Sequence, residues 1–397
     1  MIEFEQESLY RQKSIVSIKV IGVGGAGGNA VNSIIDSGCQ GIGFIVANTD
    51  SQALDLSKAH HKIQIGVKST KGLGAGANPE IGKRAAEEDL EKIMDAVSGA
   101  DIVFVVGGMG GGTGSGGLPV ISRALREKGI LTIAIVTRPF LFEGKRRAMI
   151  AEKAIENVKQ NVDTLIIIPN QKLLEVADPH VSMIDAFAMI NNGVLSQFVR
   201  GLSDIITKPG HINVDYADIR AIMKDRGLAV MGTAKASGVE RAREATLQAI
   251  SSPLLENMSV AGAQGVLFNI TGGKNLGLHE ISEAASVVYE QAHEDANIII
   301  GSVIDDSLKD EVIITIIATD FSCSSDKQNE DNKDTIERLE ECITAKIEKH
   351  DPSFPMINQE SVSYGVLKEE AMLENVDSEI HIDPNDLDIP AFLRHKG

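Results

Sequence analysis

Eight glycines fall within eleven residues in Gly-Gly-Met-Gly-Gly-Gly-Thr-Gly-Ser-Gly-Gly, residues 107–117. So much bare main chain is either a slack tether or backbone shaped around a ligand, and the flanks decide which. Residues 101–106 ahead of it are short, apolar and rich in β-branched side chains, as in a strand buried on both faces. Behind it, residues 118–129 place Leu118, Ile121, Ala124 and Leu125 on one helical face. Pro119 suits a first turn and Gly129 a stop. The run is therefore predicted to be a strand-to-helix turn. Residues without Cβ let N–H groups converge there, and the helix N-terminus adds positive potential, which together make an anion cradle suited to phosphates. No lysine follows, so this is not the GxxxxGK[ST] loop.

A second glycine loop, residues 22–29, closes the first predicted strand. Gly22, Gly24 and Gly27 fit GxGxxG, and Asp50 stands where a dinucleotide site would want its acid. An NAD(P)-dependent oxidoreductase is therefore the alternative reading. Against it, a dehydrogenase needs one such loop, whereas two can wrap two sides of a single polyphosphate.

Strand and helix patterns alternate through the first half. Strands are expected at 15–23, 43–47, 62–65, 101–106, 131–136 and 164–168, with helices at 29–37, 79–97, 118–129 and 146–161. That rhythm predicts an α/β fold with a Rossmann-like, mostly parallel sheet, in which ligands bind beyond the carboxyl ends of the strands. The predicted organisation is a flexible N-terminus (1–13), a nucleotide-binding domain (14–181), a long central helix (182–206) and a smaller C-terminal α/β domain (207–321). An acidic disordered linker (322–387) and a C-terminal partner-binding peptide (388–397) follow. The formal charge is −18, and residues 322–397 hold 18 Asp and Glu against 8 Lys and Arg. No basic footprint for nucleic acid is present. Three cysteines without a CxxC pair argue against zinc or a disulfide framework and fit a reducing cytosol. The first 13 residues are polar and charged, unlike a signal peptide, and no apolar run reaches bilayer length, so direct membrane insertion is not expected.

Further candidates lie at other strand ends. Residues 72–79 form a third glycine-rich turn containing Gly76, either a lid over a terminal phosphate or an ordinary start to the helix at Pro79. In residues 137–147, Glu143 could accept from a ribose hydroxyl and Arg147 meet a phosphate or base edge, or the segment is a solvated helix start. Phe187 and Asn191, four apart on the long helix, share a face, where a ring could stack on a purine and an amide meet a guanine edge. Core packing is the other reading of Phe187. Asn170 is a second amide candidate. Asp215 and Asp218, with Asn213 beside them, begin the next helix. A helix cap explains one of them, while two carboxylates can also position a water, directly or through Mg²⁺. About 25 helical residues, roughly 35–40 Å, separate them from the glycine loops. They could reach the phosphates only of a neighbour stacked head to tail, in a contact that builds a filament.

These motifs in this order resemble the tubulin/FtsZ family of GTPases: GGAGGN (24–29), NTD (48–50), GLGAGANPEIG (72–82), GGGTGSG (110–116), RPFLFEGKRR (138–147), DAF (185–187) and NVDYADIR (213–220). The resemblance implies a GTP/GDP-binding, Mg²⁺-assisted GTPase that polymerises and forms the bacterial division ring, in the cytoplasm at midcell. It implies phosphate-binding turns at Gly25 to Asn29 and Gly112 to Gly114, a ribose contact at Glu143, a nucleotide contact at Arg147 and a guanine contact at Asn191. Gly24, Gly25, Ala26, Gly27, Gly28, Asn48, Gly76, Gly110, Gly111, Thr113, Ser115, Gly116, Thr137, Pro139, Asn170 and Phe187 complete the candidate nucleotide-binding set. Asp215 and Asp218 match the acid pair that completes a neighbour's site, with Asn213 beside them. Asp388, Ile389, Pro390, Phe392, Leu393 and Arg394 resemble the tail peptide that docks membrane tethers similar to FtsA and ZipA. Against the family pattern, Asn191-Asn192-Gly193-Val194-Leu195 carries one extra residue, which predicts a local bulge in the helix.

Overall fold

Strands whose residues are apolar on both faces need cover on both sides, and this chain supplies it. The computed structural model describes residues 16–172, 182–208, 212, 214–252 and 262–321. The N-terminal segment and the acidic tail with its terminal peptide lie outside them.

The strands are β1 (Ile18–Val23), β2 (Ile42–Asn48), β3 (His61–Gln64), β4 (Ile102–Gly108), β5 (Leu131–Arg138), β6 (Thr164–Pro169), β7 (Gly227–Ser237), β8 (Ala263–Gly272), β9 (Asn297–Ile304) and β10 (Glu311–Phe321). They form one sheet in the order β3-β2-β1-β4-β5-β6-β7-β10-β8-β9. From β3 to β7 every pairing is parallel. β10 runs antiparallel to both its neighbours. β4 is the central example: Ile102, Phe104 and Val106 enter one apolar cluster, Val103 and Val105 the other.

Helix α1 (Gly24–Asp36) covers the first face together with the central helix. The opposite face is covered by α4 (Pro79–Glu88), α5 (Leu90–Ala96), α6 (Thr113–Glu127) and α7 (Lys145–Lys159), after the short α2 (Ser51–Asp55) and α3 (Val67–Thr70). Beyond the central helix come α8 (Tyr216–Met223), α9 (Arg241–Ile250) and α10 (Leu278–Gln291). The last two pack over the antiparallel end of the sheet in a third cluster around Phe268 and Val288.

Two local expectations are corrected and a third is borne out. First, α1 and α6 begin at Gly24 and Thr113, five residues ahead of the predicted starts. Pro119 is accordingly inside α6 rather than in its first turn. Close packing overrides the poor helix propensity of glycine here: a Cβ on Gly116 would lie 1.9 Å from the Pro79 carbonyl oxygen, and one on Gly27 2.5 Å from that of Val106. Second, the predicted helix at 79–97 is two helices broken at Asp89. The Asp89 carboxylate turns inward, accepting from the Gly66 amide at 2.8 Å and the Lys92 ammonium at 2.6 Å. Third, the central helix carries the bulge that its extra residue predicts. α-Helical Met183–Ala188 and Ser196–Thr207 flank a π-helical stretch, Met189–Leu195. The extra residue read from the sequence is absorbed there, so that Phe198, Val199 and Leu202 still face the core.

Candidate functional site

At the carboxyl ends of β1, β4, β5 and β6 the sheet opens into a cavity of about 460 Å³. The strand order reverses between β1 and β4, which is where open parallel sheets place their ligands. Two glycine-started helices border it. α1 follows β1 directly, and Gly25, Ala26 and Asn29 of its first turns line the wall. α6 follows the Gly-rich turn, and Gly111, Gly112, Thr113 and Gly114 line the wall beside it. Neither helix has a side-chain N-cap, so first-turn N–H groups remain available at two positive helix ends. Gly24, with φ +75°, lets the loops touch: its Cβ would lie 3.0 Å from the Gly114 amide nitrogen. This arrangement fits a polyphosphate.

The far side of the cavity is polar and aromatic. Thr137 and Pro139 close the end of β5, Glu143 and Arg147 follow, and Asn170 stands just past β6. Glu143 accepts from the Phe140 amide at 2.9 Å and pairs with the Arg147 guanidinium. Asn170 is 5% exposed, and its Oδ1 has no hydrogen-bond partner. An orphaned acceptor in a cavity wall fits a ligand with N–H groups, such as a guanine edge. Phe187 and Asn191 of the central helix complete the wall, Asn191 within the π-helical turn. Phe187 is 37% exposed and meets Phe140 edge-on at 5.3 Å, so one face is free to stack on a base.

Other predicted residues stand behind this wall. Gly27 packs against Gly22, and Gly28 faces Val46. The Gly110 amide donates to Ser115 Oγ at 2.9 Å, and Gly116 is pressed against α4. Asn48 is buried at the end of β2, and Gly76 is exposed with φ +59°. The third glycine turn is a buttress: a Cβ on Gly112 would lie 2.8 Å from Ala75 Cβ and 2.9 Å from the Asn78 nitrogen. Asp50 is turned away, its carboxylate capping α2 through the amides of Gln52 and Ala53. The dinucleotide reading loses its acid.

The acid pair lies at the other pole. Tyr216, between the two acids, donates its hydroxyl to the Asp101 carbonyl at 3.2 Å, one residue before β4 begins. At the other end of α8, the Thr164 hydroxyl donates to the Met223 carbonyl at the start of β6. α8 thus spans the amino ends of strands whose carboxyl ends make the cavity. β4 alone spans seven residues, roughly 20 Å. Asp215 and Asp218 also form a reciprocal cap. Asp215 Oδ1 accepts from the Asp218 amide at 2.8 Å, and Asp218 Oδ2 accepts from the Asp215 amide at 3.3 Å. The expectation that capping accounts for only one of these acids is corrected, since it engages both, with one oxygen each. Asn213 lies outside the described residues.

Sequence reasoning missed Thr49 in the wall's support. Its hydroxyl lies 2.7 Å from that of Thr113. It also did not assign Ile190 and Leu195, apolar wall residues that the π-helical turn presents to the cavity.

Residues 17–178 match the model described as "Tubulin/FtsZ family, GTPase domain", and residues 227–322 match "FtsZ family, C-terminal domain". A solved "FtsZ dimer, empty (M. jannaschii)" is similar at 41% identity and TM-score 0.74, covering 79% of this chain and 90% of that one. The chain belongs to the FtsZ family. It is a tubulin-like cytoskeletal GTPase that binds GTP and GDP. Two more distant structures share the fold of this FtsZ-family chain. CetZ1 from Haloferax volcanii, a GDP-bound monomer, is 23% identical at TM-score 0.68, covering 76% of this chain and 94% of that one. CetZ2 from the same organism, a GTPgS-bound protofilament, is 20% identical at TM-score 0.66, covering 82% and 100%. Among the described residues of this FtsZ-family protein, no helix is long and apolar enough to cross a membrane.

Proposed function

We propose that the chain polymerises head to tail, hydrolyses GTP only where two copies meet, and forms the bacterial division ring at midcell. The observation that carries this reading is the placement of the phosphate-fitting cavity and the acid pair at opposite ends of the same parallel strands. One molecule cannot bring the two together across roughly 20 Å of strand, whereas a second copy stacked on the cavity can. A relative 41% identical is itself described as a dimer.

The roles follow from chemistry. First-turn N–H groups of α1 and α6 hold phosphates, Glu143 the ribose, Asn170 and Asn191 the guanine edge, and Phe187 the base face. The uncommitted oxygens of Asp215 and Asp218, with Asn213, orient a water toward the neighbour's terminal phosphate. Mg²⁺ would neutralise phosphate charge, held chiefly by the phosphates and water, since it commonly takes only one or two protein carboxylates. Among the described residues no cluster of three His, Cys, Asp or Glu offers a fuller cage.

Mixing two variants tests shared catalysis. Asp215→Asn and Asp218→Asn retain capping groups while removing charge. Gly25→Trp obstructs the cavity from a position whose Cβ would meet nothing within 4 Å beyond its chain neighbours and its own helix backbone. Each variant alone should be nearly inactive, and an equimolar mixture should recover part of the GTP turnover. If mixtures recover nothing although each variant copolymerises with the parent chain, hydrolysis is not shared. The peptide at 388–394 would dock tethers similar to FtsA or ZipA. Its deletion should spare turnover and abolish that binding, and a loss of turnover would instead make it part of the folded body.

A further inference from the structure

Thr49 follows β2 and is fully buried, with a relative exposure of 0%. No cavity-lining role falls to it, yet it joins three loops. Its hydroxyl oxygen lies 2.7 Å from that of Thr113, the residue that opens α6 in the cavity wall. Its carbonyl accepts from the Gly74 amide at 3.3 Å and from the Thr70 hydroxyl at 3.4 Å. Just beyond it, the Ser51 amide donates to the Gly72 carbonyl at 3.1 Å. The third glycine turn is thereby pinned to the same point that steadies the glycine run at 107–117.

A hydroxyl has one proton and two lone pairs. A phosphate oxygen only accepts, so Thr113 must give its proton to the phosphate and has lone pairs left over. Thr49 has a proton and, within the protein, that neighbour to give it to. Donation from Thr49 fixes the Thr113 rotor and polarises its O–H toward the ligand. We propose that Thr49 is a positioning residue for the nucleotide phosphates, its buried hydroxyl aiming that of Thr113. The proposal rests on the reading that Thr113 contacts phosphate.

The test compares Thr49→Val, Thr113→Val, their double variant and Thr49→Ser. Affinities for GTP, GDP and guanosine are measured in dilute protein by competition against a fluorescent nucleotide. Each valine variant should weaken GTP and GDP about fivefold, the worth of one neutral hydrogen bond, and leave guanosine within about twofold. The double variant should be no weaker than Thr113→Val alone, because the two act as a unit. Thr49→Ser should restore phosphate affinity. If Thr49→Val does not fold, Thr49→Ala, which vacates rather than fills space, takes its place. Thr113→Val without effect would bring down the phosphate reading and this inference with it. Thr113→Val weakening GTP while Thr49→Val does not would overturn the inference alone. Equal loss of guanosine and GTP in Thr49→Val would also overturn it, because the residue would then be merely structural.

Discussion

Gly82 lies on α4, outside the cavity, yet its replacement by alanine should damage the site more than changes nearer to it. A Cβ there would sit 2.2 Å from the Gly112 carbonyl oxygen, 2.8 Å from its carbonyl carbon and 2.9 Å from Thr113 Cα. An ordinary carbon–oxygen approach is about 3.3 Å, so one backbone must retreat by about 1 Å. All three obstructing atoms are main chain, and no rotamer change can relieve them. The displacement falls on the first residues of α6, which line the phosphate-fitting cavity. Overpacking of this kind costs about 1–3 kcal/mol. At roughly 2–4 °C per kcal/mol for a domain somewhat smaller than this one, melting should fall by about 3–10 °C. A misplacement of about 1 Å at a reacting group can cost on the order of a hundredfold in turnover. Gly28→Ala is the control. Its Cβ would meet only Val46 Cγ1, at 3.5 Å, within α1. Because glycine costs about 1 kcal/mol against alanine inside a helix, that variant should melt at or slightly above the parent. Thermal melts of nucleotide-free protein and GTP turnover at saturating protein read both effects. Gly82→Ala melting within about 1 °C of the parent, with unchanged turnover, would refute the reasoning.

Other outcomes follow from the same geometry. Arg241 is buried and holds Glu280 through two contacts, at 2.7 and 3.1 Å, and this pairing keeps the Glu280 carboxyl below its ordinary range. A lowered folded-state pKa stabilises above the unfolded value of about 4.3 and is lost as pH falls through the folded one. Urea midpoints between pH 6 and pH 3 should therefore fall more steeply in the parent than in Glu280→Gln, which should already be about 2 kcal/mol less stable at neutral pH. Deleting Gly193 should convert the π-helical turn to regular helix and keep the buried face of Ser196–Thr207 in phase, leaving stability within about 1 kcal/mol. Deleting Gly201, packed against Thr315, should instead abolish the cooperative melt. Tyr216→Phe loses hydrogen bonds to the Asp101 carbonyl and the Arg220 guanidinium and should cost about 1 kcal/mol, read by chemical denaturation.

The sheet and cavity were legible because glycine and apolar runs announce themselves locally. A strand such as residues 102–106, apolar at every position, can only be buried on both faces. Glycine runs between such a strand and a helix expose main chain to a ligand. The helix starts were misplaced because glycine argues against helix in every local scale, and only contacts such as Gly116 on Pro79 make it obligatory. The break at Asp89 depends on the Gly66 amide, 23 residues away. Thr49 and Thr113 are 64 residues apart, and no period or composition marks a hydroxyl that meets another across such a gap. The acid pair shows the opposite hazard. Its spacing is that of a reciprocal cap as much as of a water-holding pair, and the structure makes the cap with both.

Parallel strands give the fold a direction, with every glycine turn at the finish and α8 across the start. Molecules queued in register would pass that direction on to the whole row, leaving its two tips chemically unlike. One tip would offer an open hollow from which spent nucleotide can diffuse. The other would display carboxylates with nothing beneath them. Arrival and departure of units would then proceed at different rates at either tip, a bias inherited from strand polarity alone.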